Sequence, residues 1–296
     1  MEKRILKLDR LVAVYKKITP YAFAKFVGEL DYLEKNGLIE KVRHWKGKGI
    51  SEYHHNFKVG NVEEGSVIIQ YKHNTQAEGQ SNYDLRIEFN PSKIDEQKRN
   101  LFDLIQVRFG MGEYGRTVIN VTMMELALDV EVDPRAIMVL PKQGREENRI
   151  QGNKYYGMRG RHGRLKVYDK KREREEKGIK VDAEKLTRIE FTWRGEVKLE
   201  NLETVKLGAD KLYEIKVWRN EKVEKAEIRA YILAIATGNI QLKEFTRTNQ
   251  RHIKEALKDC ETLGLDGMFD YRLPEIKREI CGLLVDSYEF GKEVVV

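Results

Sequence analysis

The tetrapeptide RIEF occurs twice, at 86–89 and 188–191, each time inside a β-type run where charged and apolar residues alternate. Period-two alternation puts Arg86 with Glu88, and Arg188 with Glu190, on one face of a strand, with Ile and Phe on the other. Strands with one apolar and one polar face belong to antiparallel sheets, whereas parallel strands are apolar throughout. SVIIQYKH (66–73), TVINVTMMELALDVEVD (117–133) and ILKLDRLVAVY (5–15) are further β-type runs, and a helical pattern at 94–108 separates DLRIEFNP (84–91) from the run at 117–133. Strand, strand, helix, strand predicts an α+β fold, a mostly antiparallel central sheet with flanking helices.

Thr19 and Pro20 suit the cap and first position of a helix over YAFAKFVGELDYLEKNG, which Gly37 stops. The Gly-, Lys- and His-rich stretch 46–60, with His54 and His55, reads as a loop. NKYYGMRG (153–160) and RLKVYDK (164–170) read as strands joined by a Gly/Arg turn, KKREREEKG as a charged helix, and LTRIEFTWR (186–194) as a strand. Beyond about Lys206 helical periodicity dominates, through KAEIRAYILAIA, RTNQRHIKEALKDCETLG and YRLPEIKREICGLLVDSY. The predicted organisation is a sheet domain over 1–200 and a helical C-terminal region over 201–296. With 296 residues and 41% hydrophobic content, the chain can bury a real core.

The two cysteines, Cys260 and Cys281, form no CxxC pair and belong to no cluster with zinc-ligand spacing, which predicts inert thiols in a reducing compartment. MEKRILKLDR lacks the apolar core of a signal peptide, and the longest apolar stretch, 230–236, is far too short to span a bilayer. A cytoplasmic protein with no membrane partner is expected. The excess of 55 Lys+Arg over 48 Asp+Glu, net +7, favours polyanions without identifying one.

Glu125 and Asp129 share one face of a strand, but four strand residues span about 13 Å, too far for both to grip one ion directly without a bulge or a bridging water. With Glu88 and Glu190 they make a polar face of carboxylates, beside which Arg86 and Arg188 could meet phosphate. Such a face suits a hard cation; the pattern alone leans to the alternative, a solvated face stitched by Arg–Glu pairs. Alternation puts Lys166, Tyr168 and Lys170 together. A tyrosine between lysines is electrostatically suited to nucleophilic attack, since its pKa near 10 must fall. The chain has 14 tyrosines, and position alone points to a structural role for this one. Arg159, Arg161 and Arg164 form a basic turn that could hold a nucleic-acid backbone or be merely solvated. Lys243, Arg247, Arg251 and Lys254 recur at near-helical spacing beside Asn249, as on a helix that reads a major groove, or on a solvated basic face.

Taken in order, SVIIQYKH, LRIEFNPSK, MELALDVEVD, KYYGMRGRHGRLKVYDKKRER, LTRIEF and EFTRTNQRHIKEALK resemble the rolling-circle plasmid replication initiators typified in staphylococcal plasmids. The resemblance runs from roughly Leu8 to Lys258, and the combination is specific where no single piece is. It implies a nicking-endonuclease-like catalytic domain, an origin-recognising C-terminal region and a homodimer. A tyrosine of that family attacks the origin strand; by position it is Tyr168, with Lys166 and Lys170 beside it. The resemblance also implies a divalent metal, Mg²⁺ or Mn²⁺, held by acids in place of the His-hydrophobic-His pair of many nicking enzymes, which His54-His55 does not form. The acids matching by position are Glu125, Asp129 and Glu190, with Glu88 less directly. Where the family carries Arg-x-Asp, this chain has Met123-Met124-Glu125, so which acid coordinates is left open.

The implied reaction leaves a 5′-phosphotyrosine and a free 3′-OH for a host polymerase. The implied partners are plasmid origin DNA, as a double-stranded recognition site and a single-stranded nick site, and a host helicase. Two alternatives stand: a relaxase or mobilisation protein of an integrative element, with the same chemistry, and a non-catalytic DNA-binding repressor, which leaves the strand acids and Tyr168 without a purpose. A tyrosine recombinase would need a His-x-x-Arg motif upstream of its tyrosine, and none is in the right place. No general base can be identified from the sequence.

Overall fold

The computed structural model describes residues 4–41, 55–60, 65–75, 81–110, 118–142, 147–219 and 223–285. The fold is α+β, with antiparallel sheet, flanking helices and a helical C-terminal region. Two compact units interleave along the chain: one comprises 8–125, 194–205 and 272–296, the other 1–7, 126–193 and 206–271.

The first unit holds β1 (Leu6–Ile18) from Leu8 onward, α1 (Pro20–Lys35), β2 (Glu40–Lys41), β3 (His55–Val59), β4 (Val67–Thr75), β5 (Ser81–Phe89), α2 (Glu96–Ile105) and the start of β6 (Val118–Val130). Its strand order is β2-β3-β4-β5-β1-β6. Residue His55, read as loop, opens β3; His54 lies outside the described residues. The first RIEF behaves as its alternation predicts. Leu85, Ile87 and Phe89 are buried against Tyr15, Ala13 and Leu11 of β1, while Arg86 and Glu88 take the other face. Helices cover the apolar face with aromatic rings: Phe23 of α1 stacks on Tyr83 at 3.7 Å between centroids, and Phe102 of α2 meets Phe89 edge-on at 4.7 Å. Helix α1 has the predicted ends, with Thr19 accepting from the Ala22 N–H at 3.3 Å, Pro20 in the first turn, and Gly37 at φ +72° beyond the last.

The second unit continues β6 and adds β7 (Ile137–Pro141), β8 (Glu147–Ile150), β9 (Asn153–Tyr156), β10 (Arg164–Asp169), α3 (Lys170–Glu176) and the start of β11 (Thr187–Lys198). After these come α4 (Ala209–Leu212), β12 (Tyr213–Val217), α5 (Ala226–Thr237), α6 (Arg247–Ala256), β13 (Glu261–Thr262) and the first residues of α7 (Leu265–Leu284). Strands run β6-β11-β10-β9-β8, and β13-β12-β7 form a separate sheet. Strands β12 and β13 interrupt a stretch read as helical. YEIKV pairs antiparallel with β7, and the buried Lys216 donates to Thr262 Oγ1 at 2.7 Å. Ile228, Ile232 and Ile235 of α5 pack with Ile253 of α6, Leu257 and Met138 in a separate core. Cys260 and Cys281 are both buried. Among the described residues no helix is long and apolar enough to cross a membrane.

Candidate active site

In the second unit β10 and β11 run antiparallel, with Tyr168 opposite Arg188 and Lys166 opposite Glu190. These four side chains therefore share one face. Asp169 ends the strand by accepting from the Arg172 N–H at 2.9 Å, which caps α3 and makes Lys170 its first residue. Tyr168 lines a cleft of roughly 700 Å³ with Asp133, Arg135, Asn153, Lys166 and Arg172, yet is itself only 6% exposed.

The partner of the Tyr168 hydroxyl is a carboxylate: it donates to Glu190 Oε1 at 2.6 Å. The lysines attend the ring, with Lys166 Nζ 3.8 Å and Lys170 Nζ 5.7 Å from its centroid. Lys166 Nζ also lies 3.4 Å from Glu190 Oε2, and Lys170 pairs with Glu173. Burial, then the charge of Glu190 and its hydrogen bond, push the phenol well above its ordinary pKa, against a smaller opposing effect of Arg188. The resting hydroxyl thus keeps its proton.

Asp129 of β6 is gripped by Arg188, Nε to Oδ1 at 2.6 Å and Nη2 to Oδ2 at 2.8 Å. Burial opposes its charge, but Arg188, helped by Lys7 and Lys170, holds the carboxyl below its ordinary value. In the first unit Arg10 contacts Glu88 and lies 3.9 Å from Glu125, while Arg86 bridges Glu88 and Gln70 at 2.5 Å each. The four acids expected to hold metal thus fall two in each unit, each facing a cation or a phenol. Among the described residues no group of three or more His, Cys, Asp or Glu is placed to hold a metal ion. Arg86 and Arg188, expected at phosphate, are engaged with Glu88 and Asp129.

Arg159 and Arg161 are exposed on the turn between β9 and β10, where Gly157, Gly160 and Gly163 adopt φ near +77°. Arg164 begins β10 with its guanidinium 5.0 Å from the Tyr155 ring centroid. Arg247, Arg251 and Lys254 are exposed on α6, as is Lys243 before it; Asn249 is half-buried, and Thr246 caps the helix by accepting from the Asn249 N–H at 3.3 Å.

Lys154 of β9 is a buried cation that periodicity did not single out. Its ammonium donates to the carbonyls of Ile137 at 2.9 Å and Pro134 at 3.2 Å. Burial, then the charge of Arg149, lowers its pKa from 10.5 to about 8. Between those two values the unfolded chain binds the extra proton, so this group makes stability rise with pH, by at most about 1.4 kcal/mol per unit. Denaturation should show wild type gaining on Lys154→Met between pH 7 and pH 10; a constant difference would contradict it.

No family model matches the chain. Two replication initiation proteins of Staphylococcus aureus do, one 22% identical over 237 residues, covering 76% of this chain and 69% of the relative, the other 21% identical over 240 residues with the same coverage. A solved rolling circle replication initiator protein from Geobacillus stearothermophilus aligns over 86% of this chain and 97% of its own, with 12% identity and a TM-score of 0.36. The sequence matches agree with the resemblance carried by the chain's own motifs: the chain shows weak but consistent similarity to these replication initiation proteins.

Proposed function

We propose that this protein starts plasmid replication by nicking one strand of its origin, with Tyr168 as nucleophile. The observation that carries the proposal is the setting of Tyr168, where the resemblance puts the family's nucleophile: it lies on the wall of a cleft, with lysines at its ring and a carboxylate on its hydroxyl. The phenol oxygen attacks the scissile phosphorus, the bond to the 3′ oxygen breaks, and the chain is left on the 5′ phosphate. Lys166 and Lys170 balance the charge of the reacting oxygen, and Arg159, Arg161 and Arg164 hold the neighbouring backbone. Mg²⁺ or Mn²⁺ belongs to the proposal as the cofactor the resemblance implies, offsetting charge on the phosphate when bound. No residue is assigned to hold it.

Residues 201–296 are proposed to recognise the double-stranded origin, through Lys243 and the exposed face of α6. A second copy of the chain and a host helicase complete the proposed assembly. The test is supercoiled DNA bearing the cognate origin. With Mn²⁺ or Mg²⁺ we expect open circles and protein linked to the 5′ end, both lost in EDTA. No nicking, or linkage to the 3′ side, would sink the proposal, and undiminished nicking in EDTA would remove the metal from it. For α6, replacing Arg251 or Lys254 by Ala should weaken origin binding and lower the slope of log affinity against log salt by about one each. Fluorescence anisotropy across a salt series would measure it, and an unchanged slope would place the DNA elsewhere.

A further inference from the structure

We infer that Glu190 is a catalytic residue, the acceptor of the Tyr168 proton during attack, and not a ligand of the metal. The inference rests on the proposed function, since it gives Glu190 a step in that reaction. Its footing is geometric. On antiparallel β10 and β11 the two side chains are diagonal neighbours on one face, a relation that long side chains can bridge. The hydroxyl and Glu190 Oε1 are 2.6 Å apart, within the reach required of a general base, and Glu190 is only 7% exposed.

Both oxygens of this carboxylate are engaged. Oε1 accepts from the phenol and Oε2 faces Lys166 at 3.4 Å. The nearby Asp129 is held by both arms of Arg188, and no third acid gathers there among the described residues. Lys166 acts as a positioning residue, its ammonium 3.4 Å from the second oxygen of the carboxylate.

The step balances without a further reactant. The phenol proton passes to Glu190 as the tyrosyl oxygen bonds to phosphorus; the bond to the 3′ oxygen breaks, and that oxygen takes a proton from water. Religation runs the same path backward: the 3′ hydroxyl attacks, its proton returns to solvent, and Glu190 gives its proton back to the departing tyrosyl oxygen.

The experiment uses the full chain and a single-stranded oligonucleotide carrying the cognate nick site. In Glu190→Gln the amide oxygen can still accept the phenol hydrogen bond but cannot carry off the proton. Cleavage and religation should both slow on the order of 10²–10⁴-fold, while the Mn²⁺ concentration giving half the maximal rate stays unchanged. In Glu190→Ala, added formate should restore part of the rate. A Glu190→Gln variant that cleaves at the wild-type rate, or regains it at high Mn²⁺, overturns the inference, the latter outcome making Glu190 a metal ligand. Should the Gln variant fail to fold, the formate arm decides, and no rescue counts against the base. If Tyr168→Phe itself nicks, the proposed function has failed; if it is silent while Glu190→Gln is fully active, only this inference has.

Discussion

Tyr168→Phe is expected to lower nicking of the cognate origin by at least roughly 10⁴-fold and to abolish covalent attachment, while leaving the fold and origin affinity in place. The change removes one oxygen and keeps the ring, so Lys166 retains the surface it covers at 3.8 Å. What is lost is the 2.6 Å hydrogen bond to Glu190, whose other oxygen still faces Lys166. A hydrogen bond of this kind, to a carboxylate, contributes about 1.5–3 kcal/mol, less than the roughly 5–15 kcal/mol that holds most folded proteins together. Circular dichroism and anisotropy on the origin duplex should therefore match wild type while the nicking assay reads near zero. If the Phe variant still nicks and becomes linked to DNA, another tyrosine is the nucleophile. Tyr155, with Arg164 5.0 Å from its ring, would be the first to examine.

Much of the polar face was legible from alternation alone. A period of two decides which face each side chain takes, so it pairs Arg86 with Glu88, Arg188 with Glu190, and Lys166 with Tyr168 without reference to any neighbouring strand. Alternation does not say which strand lies next, or in what register. The grip of Arg188 on Asp129 and the contact of Tyr168 with Glu190 depend on β6, β11 and β10 lying side by side. That is why the chain alone names no general base for Tyr168. The C-terminal region is helical as its periodicity predicts, but the short strands inside it are not legible. YEIKV is short and flanked by helical periodicity, and its strand state is settled by pairing with the distant β7. Helix ends were the easiest to read, because Thr19 and Pro20 act on neighbours within one turn.

Replacing Arg188 by Met should destabilise the protein by about 3–5 kcal/mol, the largest stability effect we expect from one substitution in the site. The Arg188 side chain is 9% exposed and that of Asp129 23%, and two hydrogen bonds of 2.6 and 2.8 Å join them. Without the guanidinium a half-buried carboxylate keeps its desolvation cost and loses its main compensation. The pH dependence has a definite sign. The folded pKa of Asp129 lies below 3.8, so the stability the pair contributes is present above that value and is lost as pH falls through the lower folded one. Urea denaturation should then find the gap between wild type and Arg188→Met widest near neutrality and narrowing in acid. Combining Arg188→Met with Asp129→Leu should recover most of the loss, because removing both charges also removes the penalty of burying either. A stable double variant that nicks normally would make the pair purely architectural. One that is stable but inactive would place its charge in the handling of DNA, and a double variant no more stable than Arg188→Met would refute the pairing as the source of the effect.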